Sequence, residues 1–213
     1  MKKVIAALLI FATASSFSQV SFSKKAIVVD LNANFGVYNT VSTDSTNRAN
    51  GTVHNDKAVP GGFALGVEYG VANFLGIGIK AATNTYATST DSSGVRPQAK
   101  SKDIALVVNA HLLRKKRFDL LLGGNLGYSG FKFSANDSKS ATAKGGGLYY
   151  DIHLTPRLYF GKRFGMFFSL AYTGYNYKKL KISNSERTFT EHLTLKGGGP
   201  NYTLGFMFRF GGE

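Results

Sequence analysis

Residues 202–210 read Tyr202-Thr203-Leu204-Gly205-Phe206-Met207-Phe208-Arg209-Phe210. Every second residue is large and apolar, and Thr203, Gly205, Met207 and Arg209 lie between them. Side chains of a strand alternate between two faces, so this segment has one aromatic face and one small or polar face. An aromatic wall turned to water drives aggregation. Turned to lipid it suits a membrane-spanning strand, provided the sheet closes so that no backbone group is left unpaired in hydrocarbon.

Seven upstream segments carry the same period of two. They are 26–38, 62–69, 74–86, 103–113, 118–131, 147–159 and 164–177. In the first, Val29, Leu31, Ala33, Phe35 and Val37 face Asp30, Asn32, Asn34 and Gly36 across the strand. In the fourth, Ile104, Leu106, Val108 and Ala110 face Asp103, Ala105, Asn109 and His111. Short connections (71–73, 114–117, 160–163) alternate with long polar ones (39–61, 87–102, 134–146, 178–199). The expectation is an all-β chain: an eight-stranded antiparallel up-and-down transmembrane β-barrel with short periplasmic turns and long extracellular loops. The structural rival is a soluble eight-stranded barrel of the lipocalin kind, which turns its apolar face inward around a ligand. Here the charged, Gly-rich face is the one that fits inside.

The spacing Thr203-x-Gly205-x-x-Phe208-x-Phe210 is similar to the C-terminal assembly signal of bacterial outer-membrane barrels. Gly211, Gly212 and Glu213 follow it, whereas many family members end on the last aromatic residue. With its eight periodic segments, the chain resembles the small outer-membrane barrel family of the OmpA-transmembrane and OmpX type. The resemblance implies residence in a Gram-negative outer membrane and delivery by the outer-membrane assembly machinery. It also implies an interior salt-bridge network.

The other end of the chain agrees with export. Lys2 and Lys3 precede an apolar run from Val4 to Ala12, followed by Ala14, Ser15, Ser16 and Ser18. This reads as a signal peptide over 1–18, cut after Ser18, with a cut after Ala14 as the competitor. Residues 19–213 then form one barrel domain. No other run is long and apolar enough for a membrane helix. The chain has no Cys, so disulfides, thiolate metal sites and an N-terminal lipid anchor are excluded. Its formal net charge is +14. In a cytosolic protein that excess would point to nucleic acid, but the export signal and the lack of a basic helix argue against such a partner. Basic residues gather instead in the last long loop (Lys178, Lys179, Lys181, Arg187, Lys196) and at the short turns (Lys24, Lys25, Arg114, Lys115, Lys116, Arg117, Lys162, Arg163). Outer-membrane lipid head groups and lipopolysaccharide phosphates are the expected partners there. Tyr38, Tyr69, Tyr86, Tyr128, Tyr159 and Tyr177 sit at strand ends, where an aromatic girdle belongs.

Eight strands enclose a lumen that side chains nearly fill, so a wide channel is excluded. The inward set holds Asp30, Glu68, Asp103, Asp119 and Asp151 against Lys80, Arg157 and Arg209, with His111 and His153. Charges in a narrow lumen are paired or wet, so a polar plug is expected. Asp30 is matched with Arg209 across the seam of first and last strands, and His111 with Asp119 beside the 114–117 turn. Glu68 is set against Gly76, Gly78 and Lys80, where the glycines leave room. No catalytic, cofactor or metal site is expected. His153 beside Asp151 is half of an acid–base pair, and His192 beside Glu191 lacks a serine. The four His residues have no ligand spacing. Gly145–Gly147 and Gly197–Gly199 lack the strand–loop–helix context of a phosphate loop. The expected function is that of a monomeric barrel with a plugged polar lumen and a structural, adhesive or surface-interaction role carried by its loops. The alternatives are a narrow pore or conduit for small apolar molecules of the OmpW type and, third, a lipid A-modifying enzyme.

Overall fold

A computed structural model of the chain describes residues 21–44, 52–88, 97–134, 142–183, 188–190 and 193–212. These residues form ten strands: β1 (Ile27–Gly36), β2 (Tyr38–Asp44), β3 (Thr52–Ala72), β4 (Leu75–Ala87), β5 (Gln98–Arg114), β6 (Phe118–Ser134), β7 (Thr142–Tyr159), β8 (Phe164–Ser183), β9 (Thr188–Thr190) and β10 (Leu193–Phe210). β1 and β2 are one stave interrupted at Val37, whose N–H donates to the Pro200 carbonyl at 3.1 Å. Both pair with β10 on one side and β3 on the other. β9 adds only to the far end of β8, from Lys181↔Thr190 to Ser183↔Thr188. The ring therefore has eight staves, each antiparallel to its neighbours.

Closure runs the full length of β1, from Ile27↔Phe210 to Gly36↔Asn201. A seam of that length leaves no open edge in the hydrocarbon layer, the condition under which strands can cross a bilayer. The outer surface is a band of large apolar side chains. Leu106 is 67% and Ile152 66% exposed on that band, whereas Met207 and Asp119 on the inner face are 0% exposed. The parity of residues 202–210 holds throughout: Leu204, Phe206, Phe208 and Phe210 face out, and Thr203, Gly205, Met207 and Arg209 face in.

The staves run longer than the expected strands. The stave expected at 62–69 begins at Thr52, β5 begins at Gln98, β7 at Thr142 and β10 at Leu193, so much of each expected long loop is sheet. β2 and β3 pair from Tyr38↔Ala58 to Asp44↔Thr52. Above the lipid a strand needs its hydrogen-bond ladder but no apolar outer face. Outward Asn39, Asn55, Lys57 and Lys100 therefore interrupt the hydrophobic period. The loop residues 45–51, 89–96, 135–141, 184–187 and 191–192 lie outside the described residues, as do Glu213 and residues 1–20 with the expected signal peptide and cleavage point. The girdle expectation needs correction. Tyr69 (45% exposed) and Tyr128 (59%) face out, but Tyr38, Tyr159 and Tyr177 are 2–3% exposed and face the lumen with Tyr86. Their parity is that of the inward residues of their own strands, and parity outranks position along the strand.

Candidate functional site

The inward side chains lie in three tiers. The tier nearest the short turns is built on Glu68 of β3, which is 3% exposed. Its Oε1 accepts from Asn109 Nδ2 at 2.9 Å and lies 3.0 Å from His111 Nε2. Its Oε2 accepts from Arg157 Nη2 at 2.7 Å, from the far side of the barrel. His111 Nδ1 lies 2.8 Å from Asp119 Oδ2, and Arg157 Nη1 lies 3.9 Å from the same oxygen. With His111 as imidazolium, both of its nitrogens donate and the four charges cancel. Gly76 makes the room: a Cβ there would run into the Glu68 carboxylate.

Asn109 links this tier to the next, because its Oδ1 lies 3.1 Å from His153 Nε2. His153 Nδ1 lies 2.8 Å from Asp151 Oδ1. Asp151 Oδ2 accepts from Asn125 Nδ2 at 2.7 Å and from the Tyr149 hydroxyl. Asn32 Nδ2 donates to Asp30 Oδ1 at 2.7 Å. A cavity of about 60 Å³ remains, walled by Asp30, Lys80, Asp151, His153 and Asn201 among others. That is room for a small cluster of waters.

The third tier centres on Asp103 of β5. It accepts from Ser129 Oγ at 2.5 Å, Asn84 Nδ2 at 2.8 Å and the Tyr175 hydroxyl at 3.1 Å. The Tyr177 hydroxyl donates to Ser129 Oγ at 2.8 Å. With their hydroxyls held below, the rings pack together: Tyr149 on Tyr175 at 5.2 Å, Phe131 on Tyr177 at 5.3 Å and Tyr38 on Tyr175 at 5.8 Å between centroids. Above them opens a cup of about 410 Å³ walled by Tyr86, Phe131, Phe133, Tyr177 and Leu195, with Thr40, Asp56 and Lys57 also on its lining.

The structure thus brings Glu68, His111, Asp119 and Arg157 into one cluster and Asp151 and His153 into another. The expected Asp30–Arg209 bond gives way to other contacts. Arg209 stands opposite Val28 while Asp30 stands opposite Met207. Arg209 Nη1 donates to the Ser21 carbonyl at 2.9 Å, and its guanidinium lies over the Tyr159 ring at 5.8 Å. Glu68 turns to Arg157, and Lys80 lines the small cavity. Gly145–Gly147 and Gly197–Gly199 lie within β7 and β10. Glu191 and His192 lie outside the described residues. Two features of the interior are not given by the sequence. Asn84, Asn125 and Ser129 were legible as inward by parity, but their partners were not. Phe22, before the first strand, has no periodic signal at all. Yet it is 0% exposed and stacked on His111.

No protein-family model matches the sequence, and no curated protein matches it. Solved structures do. OprG from Pseudomonas aeruginosa aligns with a TM-score of 0.61 at 14% identity, over 90% of this chain and 99% of OprG. This is the fold of a small bacterial outer-membrane β-barrel. The outer membrane protein AlkL, determined in lipid bilayers, aligns at 0.57 and 14% identity over 92% of this chain and 94% of its own. Neisserial surface protein A aligns at 0.52 and 11% identity over 88% of this chain and all of its own. Together with the apolar outer band, the fold places this barrel in an outer membrane.

Proposed function

We propose that this barrel is a monomeric, non-enzymatic and non-conducting outer-membrane protein whose work is done at its outer end. The observation that carries this reading is the three-tier interior, in which side chains from facing walls bond across the lumen. The aromatic cup, a cavity of about 410 Å³, lies at the long-loop end. The strand extensions above the lipid give that end a rigid frame for contact with other surfaces or molecules. Catalysis has little support. His111 meets a carboxylate at each ring nitrogen, and His153 meets Asp151 and Asn109, so neither is aimed at a nucleophile. The exposed cations of the periplasmic turns, Lys24, Lys25, Lys115, Lys116, Lys162 and Arg163, lie where phospholipid phosphates lie and are proposed to bind them. Thr203, Gly205, Phe208 and Phe210 are proposed to serve the assembly machinery.

A second reading is favoured by the ring-walled cup itself: it would be the mouth of a conduit for small apolar molecules. Against it stands the charged and hydroxyl-rich tier directly below. Swelling of proteoliposomes in an isosmotic pentose solution tests the first reading. The expected result is no swelling beyond that of protein-free liposomes. Swelling at the rate given by a small porin overturns it.

A further inference from the structure

The first described residues do not hang free below the barrel. The Ser21 N–H donates to the Lys115 carbonyl at 3.1 Å, and Ser21 Oγ donates to the Phe118 carbonyl at 3.2 Å, both beside the β5–β6 turn. Arg209, at the end of β10, holds the Ser21 carbonyl. The Lys24 N–H donates to Asn73 Oδ1 at 3.0 Å, the Lys25 N–H to the Gly70 carbonyl at 2.7 Å, and the Gly70 N–H to the Ala26 carbonyl at 2.8 Å. Lys25 has φ 65, the left-handed conformation that reverses the chain into β1. The seat is cut to fit. A Cβ at Gly70 would meet the Ser23 carbonyl, and one at Gly212 would meet Ser23 Oγ.

At the centre of the segment, Phe22 stacks on His111 with centroids 3.5 Å apart and rings 10° from parallel. The stack is the one His111 leaves possible. Its two nitrogens are engaged in the ring plane by Glu68 and Asp119, so only its faces are open to a partner.

We propose that Ser21–Ala26 is a stopper across the periplasmic mouth, with Phe22 as its plug. It ties the β5–β6 turn, the β3–β4 turn and the end of β10 into one closed rim. Because Arg209 grips it from the last strand, the stopper seats fully only once the β1–β10 seam has closed. It therefore latches the finished barrel and leaves the interior approachable from the outer end alone.

The absence of Cys from the chain makes thiol labelling a clean test. Ser21→Cys, Lys24→Cys and the double variant Ser21→Cys/Phe22→Ala are refolded in lipid as the full chain. Folding is checked by heat-modifiable migration on a gel, and each is reacted with a charged maleimide. Lys24→Cys should label as an exposed thiol, and Ser21→Cys at least ~100-fold more slowly, as expected of a group reached only through local opening. Ser21→Cys/Phe22→Ala should approach the Lys24→Cys rate. Equal rates for Ser21→Cys and Lys24→Cys overturn the stopper, and continued protection in the double variant overturns the role of Phe22. Should Ser21→Cys fail to refold, the His111 ring protons of the native chain decide. An upfield ring-current shift that disappears in Phe22→Leu supports the proposal, and an unshifted signal in the native chain refutes it.

Discussion

Arg157→Met lowers the unfolding free energy of the barrel by about 3–5 kcal/mol, the usual cost of stranding buried charge. The Arg157 guanidinium is bonded to Glu68 at 2.7 Å and lies 3.9 Å from Asp119, and both carboxylates are nearly or wholly buried. Removing the cation leaves two acids and one histidine in a space without bulk water. The same physics sets the control. Arg157→Met combined with Glu68→Gln and Asp119→Asn removes the cation together with both acids, leaves His111 free to be neutral, and should recover most of the loss, because the cost lies in the unpaired acids more than in the lost bonds. Equilibrium urea unfolding in lipid, followed by intrinsic tyrosine fluorescence, measures both. Equal destabilisation of the single and triple variants would mean that Arg157 matters for packing and not for charge.

Leu106→Arg should cost about 2–4 kcal/mol, the penalty for a cation near the bilayer midplane on the lipid face of a barrel. Leu106 is the most exposed of the large apolar residues on β5, at 67%, and stands between Ile79 of β4 and Leu126 of β6. All three belong to the outer apolar band. Asn55→Arg, on the β3 extension opposite Val41, should change stability by less than about 0.5 kcal/mol, as ordinary surface substitutions do. The contrast between the two variants, measured by the same unfolding experiment, marks where lipid ends and water begins. A costly Asn55→Arg would place the extensions within the membrane.

Much of the fold was legible because a lipid-facing barrel needs a strict period of two. Leu204, Phe206, Phe208 and Phe210 announce the outer face, and the same parity placed Glu68, His111, Asp119, Asp151 and Arg157 inside. Parity says which face a residue takes but not which neighbour it meets. Partners depend on register between strands and on reach across the lumen. His111 and Asp119 share one hairpin, so their meeting follows from local geometry. Glu68 and Arg157 stand on opposite walls, and nothing in the spacing announces their bond. Asp30 and Arg209 are both inward beside the seam, yet the register sets Arg209 opposite Val28 and frees it to hold Ser21. The strand extensions went unread for a different reason. Outside lipid outward positions such as Asn39, Asn55, Lys57 and Lys100 are polar, and the hydrophobic signal breaks up while the hydrogen-bond ladder continues. Tyr38, Tyr159 and Tyr177 show the reverse lesson, since residues at the height of a girdle still point inward when their parity does.

The most direct test of a barrel closed by its own side chains is single-channel recording of the refolded wild-type chain in a planar bilayer. A bilayer that holds folded barrels and shows no steps of current at moderate voltage is the expected result. Steady, stepwise conductance from the wild type would contradict it, because ions could then pass Glu68, His111, Asp151 and Asp103 without any tier giving way.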